Sequence, residues 1–102
     1  MSGSLQPLFR PARIAVIGAS ANPEKMGFQI LRNIRDAGFP GEVIPVNPKG
    51  EAILGTPSVK SPADLPEGID LAVVIIPAKL VPGAIRELGE RGVRAAIVIT
   101  TS

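Results

Sequence analysis

A chain of 102 residues, 45% of them hydrophobic, has the apolar mass for one globular domain but little room for a whole enzyme. Eleven basic against nine acidic residues leave a formal charge of +2, too small to track a nucleic-acid backbone, and 3% aromatics with no Trp or Tyr offer no base-stacking platform. With neither cysteine nor histidine there can be no disulfide, no thiolate or imidazole metal ligand, and no Ser-His-Asp triad within this chain.

In chain order, MSGSLQPLFRP matches neither a secretory h-region nor a transit peptide. No apolar run reaches membrane-spanning length, so a cytoplasmic location without membrane partners is the default expectation. Residues 1–12 read as an arm and 13–102 as the folded domain. Arg13–Gly18 is an apolar run stopped by glycine, a buried strand. Met26, Ile30, Leu31 and Ile34 recur at helical spacing, with Gly38 as a C-terminal cap. A second strand is predicted from Glu42 to Asn47, closed by the Asn-Pro turn. The following AILGTPSV reads as an edge excursion broken by Gly55 and Pro57.

Ser61 and Pro62 have the chemistry of an N-cap and a first helical position. Leu71–Ile76 is apolar without alternation, as in a parallel strand buried on both faces. A helix is predicted from Leu80 to Gly92, with Pro82 near its start and Ile85 and Leu88 facing inward. RAAIVITTS is the last strand. Strands and helices alternating over short connections give an α/β fold: a Rossmann-like, open, mainly parallel sheet with helices on both faces. Ligands of such sheets bind outside the carboxyl ends of the strands, so four strand ends carry the functional reading.

The first strand end is Gly18-Ala19-Ser20-Ala21-Asn22-Pro23, with Lys25 and Gly27 following. It departs from the G-x-G-x-x-G dinucleotide fingerprint: serine stands for the second glycine and proline for the third. Free amides at the next helix start can cradle an anion. Ser20 and Asn22 add neutral donors and Lys25 a charge, unless the first two merely cap the helix. At the second end, Asn47 and Lys49 replace the acid that would hold a ribose diol, which favours a phosphorylated ribose; NADP and coenzyme A both fit. At the third end, Pro77 and Ala78 offer a flat apolar wall. Thr100, Thr101 and Ser102 place three hydroxyls at the fourth. The acids Asp64, Glu67, Asp70, Glu87 and Glu90 fall at strand starts, in turns or on a helix face, away from this edge. No catalytic residue is assigned.

These stretches together resemble a known family. LFRPARIAVIGASANPEKMGFQILRNI, GEVIPVNPKG, ILGTPSVKSPADLPEGIDLAVVIIPA and VRAAIVITTS are similar to the N-terminal CoA-binding domain of NDP-forming acyl-CoA synthetases. That superfamily includes the ADP-forming acetyl-CoA synthetase (acetate–CoA ligase) and the succinyl-CoA synthetase alpha subunit. Related domains occur in some bacterial protein acetyltransferases. The similarity runs from Leu8 onward and rests on the combination of G-A-S-x-x-P, V-N-P-K and the I-P strand end.

The resemblance implies coenzyme A as ligand. Gly18, Ser20, Asn22 and Pro23 would sit in the phosphate-contacting loop, and Lys49 near the adenosine 3′-phosphate. Pro77 and Ala78 would flank the nucleotide or pantetheine, with Thr100 to Ser102 near the thiol. It further implies that the phosphohistidine and ATP-grasp parts lie in other domains or a second subunit, and that this chain is part of a longer protein. The readings set beside it are a stand-alone CoA-binding or regulatory module, part of a protein acetyltransferase, and half of an NADP-binding oxidoreductase.

Overall fold

In the computed structural model, residues 12–99 are described. Four parallel strands form one sheet: β1 (Arg13–Ile17), β2 (Glu42–Val46), β3 (Leu71–Val74) and β4 (Ala95–Val98), in the order β2-β1-β3-β4. Helix α1 (Met26–Asp36) connects β1 to β2, and α2 (Val81–Glu90) connects β3 to β4. Residues 1–11 of the arm and residues 100–102 lie outside the described residues.

Side-chain alternation sorts the core into two layers. Ile14, Val16, Leu71 and Val73 face Leu31 of α1. Ala15, Ile17, Ile44, Val46, Ala72 and Val74 pack on the opposite face with Leu65 and Ile69, which precede β3, and with Leu88 of α2. Helical layers on both faces explain why β1 and β3, the central strands, are apolar at consecutive positions. Pro45 fits within β2 because β2 is an edge strand: its nitrogen owes the ladder nothing, and its carbonyl accepts from Val59 (3.0 Å).

Several boundaries differ from the sequence expectations, each for a local reason. β3 stops at Val74 rather than Ile76, because β1 turns away at Gly18; the last bond there runs from the Ile75 amide to the Ile17 carbonyl (2.8 Å). β2 ends at Val46, because the Asn47 amide donates to Val59 (2.8 Å). The helix expected from Leu80 begins at Val81, behind a 3₁₀ turn over Ala78–Leu80, and ends at Glu90. Its inward residues are Ala84 and Leu88; Ile85 is 39% exposed. Adjacent helical residues point about 100° apart, so the 84/88 pair against the sheet turns Ile85 outward. Met26 at the start of α1 is exposed as well.

Residues 53–59 make no regular strand. Ile53 and Thr56 exchange backbone bonds of 2.9 Å around a tight turn at Leu54-Gly55, and Val59 bridges to Val46. Ser61 precedes the 3₁₀ turn Pro62–Asp64 without capping its backbone; its hydroxyl meets the Asp64 carboxylate at 3.3 Å. Gly38 ends α1 as expected, through paired bonds from Gly38 to Arg35 and from Phe39 to Ile34. At the amino end of the sheet, Asp70 accepts from the amides of Ala12 and Arg13, and the Arg13 guanidinium spans Glu42 and the Glu67 carbonyl. No helix among the described residues is long and apolar enough to cross a membrane.

Candidate ligand groove at the carboxyl edge of the sheet

From β1 the chain crosses to one side of the sheet, and from β3 to the other. The crevice between their carboxyl ends is therefore the topological switch point, where open α/β sheets bind ligands. Two cavities open there and share Gly18, Pro48 and Ile76. The first, about 460 Å³, is walled by Ala19, Ser20, Lys25, Met26 and Gly27, with Asn47 and Pro77 across from them. The second, about 360 Å³, lies towards α2 and is lined by Lys60, Ser61, Leu80, Ala84, Arg86 and Glu87 among others. Together they form one groove around the end of β1.

The backbone is drawn tight at this end. Gly18 has φ of 92°, and a Cβ there would stand 1.9 Å from the Ile75 carbonyl oxygen. A Cβ on Gly27 would stand 2.0 Å from the Gly18 carbonyl oxygen. Gly27 thus does the work of the third fingerprint glycine, close packing of helix on strand, although it comes nine residues after Gly18 instead of five. This approach aims the start of α1 at the first cavity. Met26 and Gly27 are its first two residues, whose amides have no intrahelical acceptor, and its first turn carries no acid. The end of such a helix attracts anions.

Ser20 and Asn22 do not cap α1. Its N-cap position is Lys25, with no side-chain cap bond. Instead the Ser20 hydroxyl accepts from the Asn22 backbone amide (3.0 Å), and the Asn22 side-chain oxygen Oδ1 accepts from the Glu24 backbone amide (2.9 Å). Two consecutive side-chain turns thus shape the loop in the place of flexible glycines. Ser20 and Lys25 line the cavity; Asn22 and Pro23 are exposed in the loop beside it.

Asn47 is the one buried polar residue among those described, at 7% exposure. Its amide nitrogen donates to the Ala19 carbonyl (2.9 Å), and its amide oxygen accepts from the Lys49 backbone (2.7 Å). It ties the first loop to the second and shapes the groove through the backbone. Lys49 is exposed in the turn that Gly50 closes back to Asn47 (2.8 Å) and lines neither cavity. Pro77 lies in the wall of the first cavity, with Ala78 exposed beyond it. Thr100, Thr101 and Ser102 fall outside the described residues.

Sequence reasoning missed the second cavity. Glu87, expected away from the ligand edge, lies in its wall with Lys60, Ser61 and Arg86. Lys60 arrives there through the Val46–Val59 bridge, a pairing across 13 positions that no local periodicity announces. Gly83, in the first turn of α2 and in the cavity wall, was the available signal of a helix face kept open.

The family described as CoA binding domain matches residues 12–102. Among curated relatives, the chain is 46% identical over 96 residues to an ADP-forming acetate–CoA ligase I of Archaeoglobus fulgidus, covering 94% of this chain and 14% of that protein. It is 40% identical over 102 residues to the alpha subunit of the ADP-forming acetate–CoA ligase I of Pyrococcus furiosus, covering 96% of this chain and 22% of the subunit. Among solved structures, a dinucleotide-forming acetyl-coenzyme A synthetase 1 of Ca. Korarchaeum cryptofilum superposes with a TM-score of 0.90 at 43% identity, over 96% of this chain and 21% of that one. The chain therefore spans less than a quarter of the length of these relatives.

Proposed function

This chain belongs to the CoA-binding domain family, its ligand is coenzyme A, and from that premise we propose that it is the CoA-holding part of an ADP-forming acyl-CoA synthetase. The whole enzyme would interconvert acyl-CoA, ADP and phosphate with the carboxylic acid, CoA and ATP. The observation that carries this reading is the groove at the switch point, open on one side to the anion-attracting start of α1.

In this reading CoA supplies the thiol that attacks an acyl phosphate, and the chain's residues hold the rest of the molecule. The first-turn amides of Met26 and Gly27, with Lys25, face the pyrophosphate; Gly18 lets it approach the backbone, and the Ser20–Asn22 turns fix the loop. Pro77 and Ala78 flank the apolar part of the ligand, and Lys49 stands by its 3′-phosphate. Histidine is absent from the chain, so a phosphohistidine relay and the ATP-grasp chemistry belong to further domains or a partner subunit. The small share of each relative that the chain spans supports that division.

A chimera tests it. The matching segment of the Pyrococcus furiosus alpha subunit is replaced by residues 12–102, and ATP formation from acetyl-CoA, ADP and phosphate is assayed with the remaining subunit. Turnover that depends on acetyl-CoA is the expected result. A folded chimera that binds CoA but makes no ATP would count against the synthetase role and leave a stand-alone CoA module. Isothermal titration of the chain with CoA and NADP checks the ligand itself; tighter NADP binding would turn the reading to an oxidoreductase half.

A further inference from the structure

The groove wall carries an atom that ligand binding does not call on: the sulfur of Met26. Of the large apolar residues exposed among those described, Met26 (42%) and Leu80 line the groove, and of these two Met26 alone is open to mild oxidation. The chain has no cysteine, and its other methionine stands at position 1, so Met26 holds the one sulfur among the described residues. Leu31 of the same helix is buried, whereas Met26 stands in the wall of the first cavity.

The backbone on both sides of Met26 is tied down. Gly27, the next residue, packs on the Gly18 carbonyl with no room for a Cβ. On the other side the Lys25 amide donates to the Asn22 carbonyl (3.0 Å), and the Lys25 carbonyl accepts from Phe28 and Gln29 (3.1 and 3.2 Å). A change in the polarity of the Met26 side chain is therefore felt in the groove and not absorbed by a shift of the helix. Met26 is also the first residue of α1, where amides lack intrahelical acceptors and the helix end attracts negative charge.

We propose that Met26 is a reversible oxidation site, through which a hydroperoxide weakens the hold of the groove on its anionic ligand. The proposal rests on coenzyme A being the ligand. The thioether sulfur attacks one peroxide oxygen, and an S–O bond forms as the O–O bond breaks. With hydrogen peroxide, the proton on the transferred oxygen passes to the departing one, which leaves as water. Sulfur is oxidised by two electrons and the peroxide reduced by two. The product is a sulfoxide, whose oxygen bears partial negative charge and accepts hydrogen bonds. The helix end that attracts an anion attracts this oxygen as well. It then competes with the pyrophosphate for the first-turn amides and for Lys25, which lines the same cavity. Reduction by a dithiol returns the thioether, the oxygen leaving as water and the two thiols joining as a disulfide; dedicated reductases catalyse this for each sulfoxide epimer.

The test treats the ¹⁵N-labelled chain with hydrogen peroxide, removes the peroxide, and titrates CoA and dephospho-CoA while amide shifts are followed. Peptide masses read the gain of one oxygen at Met26, and the amide spectrum reads the fold. Oxidation is expected to weaken both ligands about two- to fivefold, as for loss of one favourable charge at a helix end. Methionine sulfoxide reductases of both epimer types, supplied with a dithiol, should restore the untreated affinity. Met26→Leu should bind equally before and after peroxide, whatever its starting affinity, and Met26→Gln should bind more weakly than Met26→Leu. Unchanged affinity of the wild-type chain with Met26 fully oxidised would overturn the proposal. A loss of affinity that persists in Met26→Leu would also overturn it, since another residue would then carry the effect. So would a Met26 that stays reduced at peroxide concentrations that oxidise free methionine. If the untreated chain binds NADP and not CoA, the underlying reading fails and the oxidation site falls with it.

Discussion

The Gly27 backbone lies against the Gly18 carbonyl so closely that a Cβ on Gly27 would stand 2.0 Å from that oxygen. The contact joins the first turn of α1 to the end of β1, which fixes where the free amides of the helix point. Gly27 is needed for this contact, while a Cβ on Gly18 would instead meet the Ile75 carbonyl oxygen. Gly18 also turns at positive φ, whereas Gly27 is needed only for space.

Gly27→Ala should therefore destabilise the chain by about 1–3 kcal/mol, the usual cost of forcing atoms into a packed site. It should also weaken CoA binding, because the helix start must back away from the cavity. Urea unfolding and a CoA titration on the same preparation check both effects. A variant with wild-type stability and affinity would show that the helix shifts freely and that the contact is incidental.

Asn47 is the joint between the two loops of the groove. Asn47→Asp keeps the acceptor for the Lys49 amide but faces the Ala19 carbonyl with an oxygen in place of a donor. The lost bond and the buried repulsion should cost about 1–3 kcal/mol. An acid at this strand end is also the residue type that holds an unphosphorylated ribose diol. The variant should thus lose CoA affinity more than dephospho-CoA affinity. Thermal melts and paired titrations read the two effects separately, and a stable variant with unaltered CoA affinity would remove Asn47 from the site.

The parts of this design that could be read from sequence are the local ones. β1 and β3 announce themselves as uninterrupted apolar runs because both faces are covered, and Gly18 marks the end of β1 because only glycine fits the turn there. Which apolar residue of α2 faces the sheet was not legible: Ala84 and Ile85 both suit a core, and the structure buries Ala84 with Leu88 and turns Ile85 outward. Nor could the sequence reveal that the Asn47 side chain is occupied within the protein, since its partners Ala19 and Lys49 belong to two loops brought together by the sheet. Lys60 was missed for the same reason. Its position depends on Val59 pairing with Val46, and long-range pairing leaves no periodic trace.

Asp70 provides a control at the far end of the sheet. Its carboxylate accepts from the Ala12 and Arg13 amides at 2.9 and 3.2 Å, tying the start of β1 to the start of β3. Asp70→Ala should cost about 1–3 kcal/mol through the two lost charge-assisted bonds. CoA affinity should stay at the wild-type level, because this end lies opposite the groove. A denaturation midpoint equal to wild type would mean that water replaces the carboxylate without cost, and a large loss of affinity would mean that the two ends of the sheet are coupled.

Lys25 lies at the N-cap of α1 and lines the first cavity, so its charge adds to that of the helix end at the place where the pyrophosphate is expected. It is exposed, so its contact with an anion is screened by water and salt. Lys25→Ala should weaken CoA and dephospho-CoA alike, by about two- to fivefold at low ionic strength, with the difference from wild type shrinking as salt is added. This pattern separates it from Lys49, whose removal is expected to affect only the ligand that carries the 3′-phosphate. Titrations of both ligands at two salt concentrations decide the matter. If Lys25→Ala weakens CoA and spares dephospho-CoA, the 3′-phosphate lies at the α1 end, and the orientation of the nucleotide in the groove must be reversed.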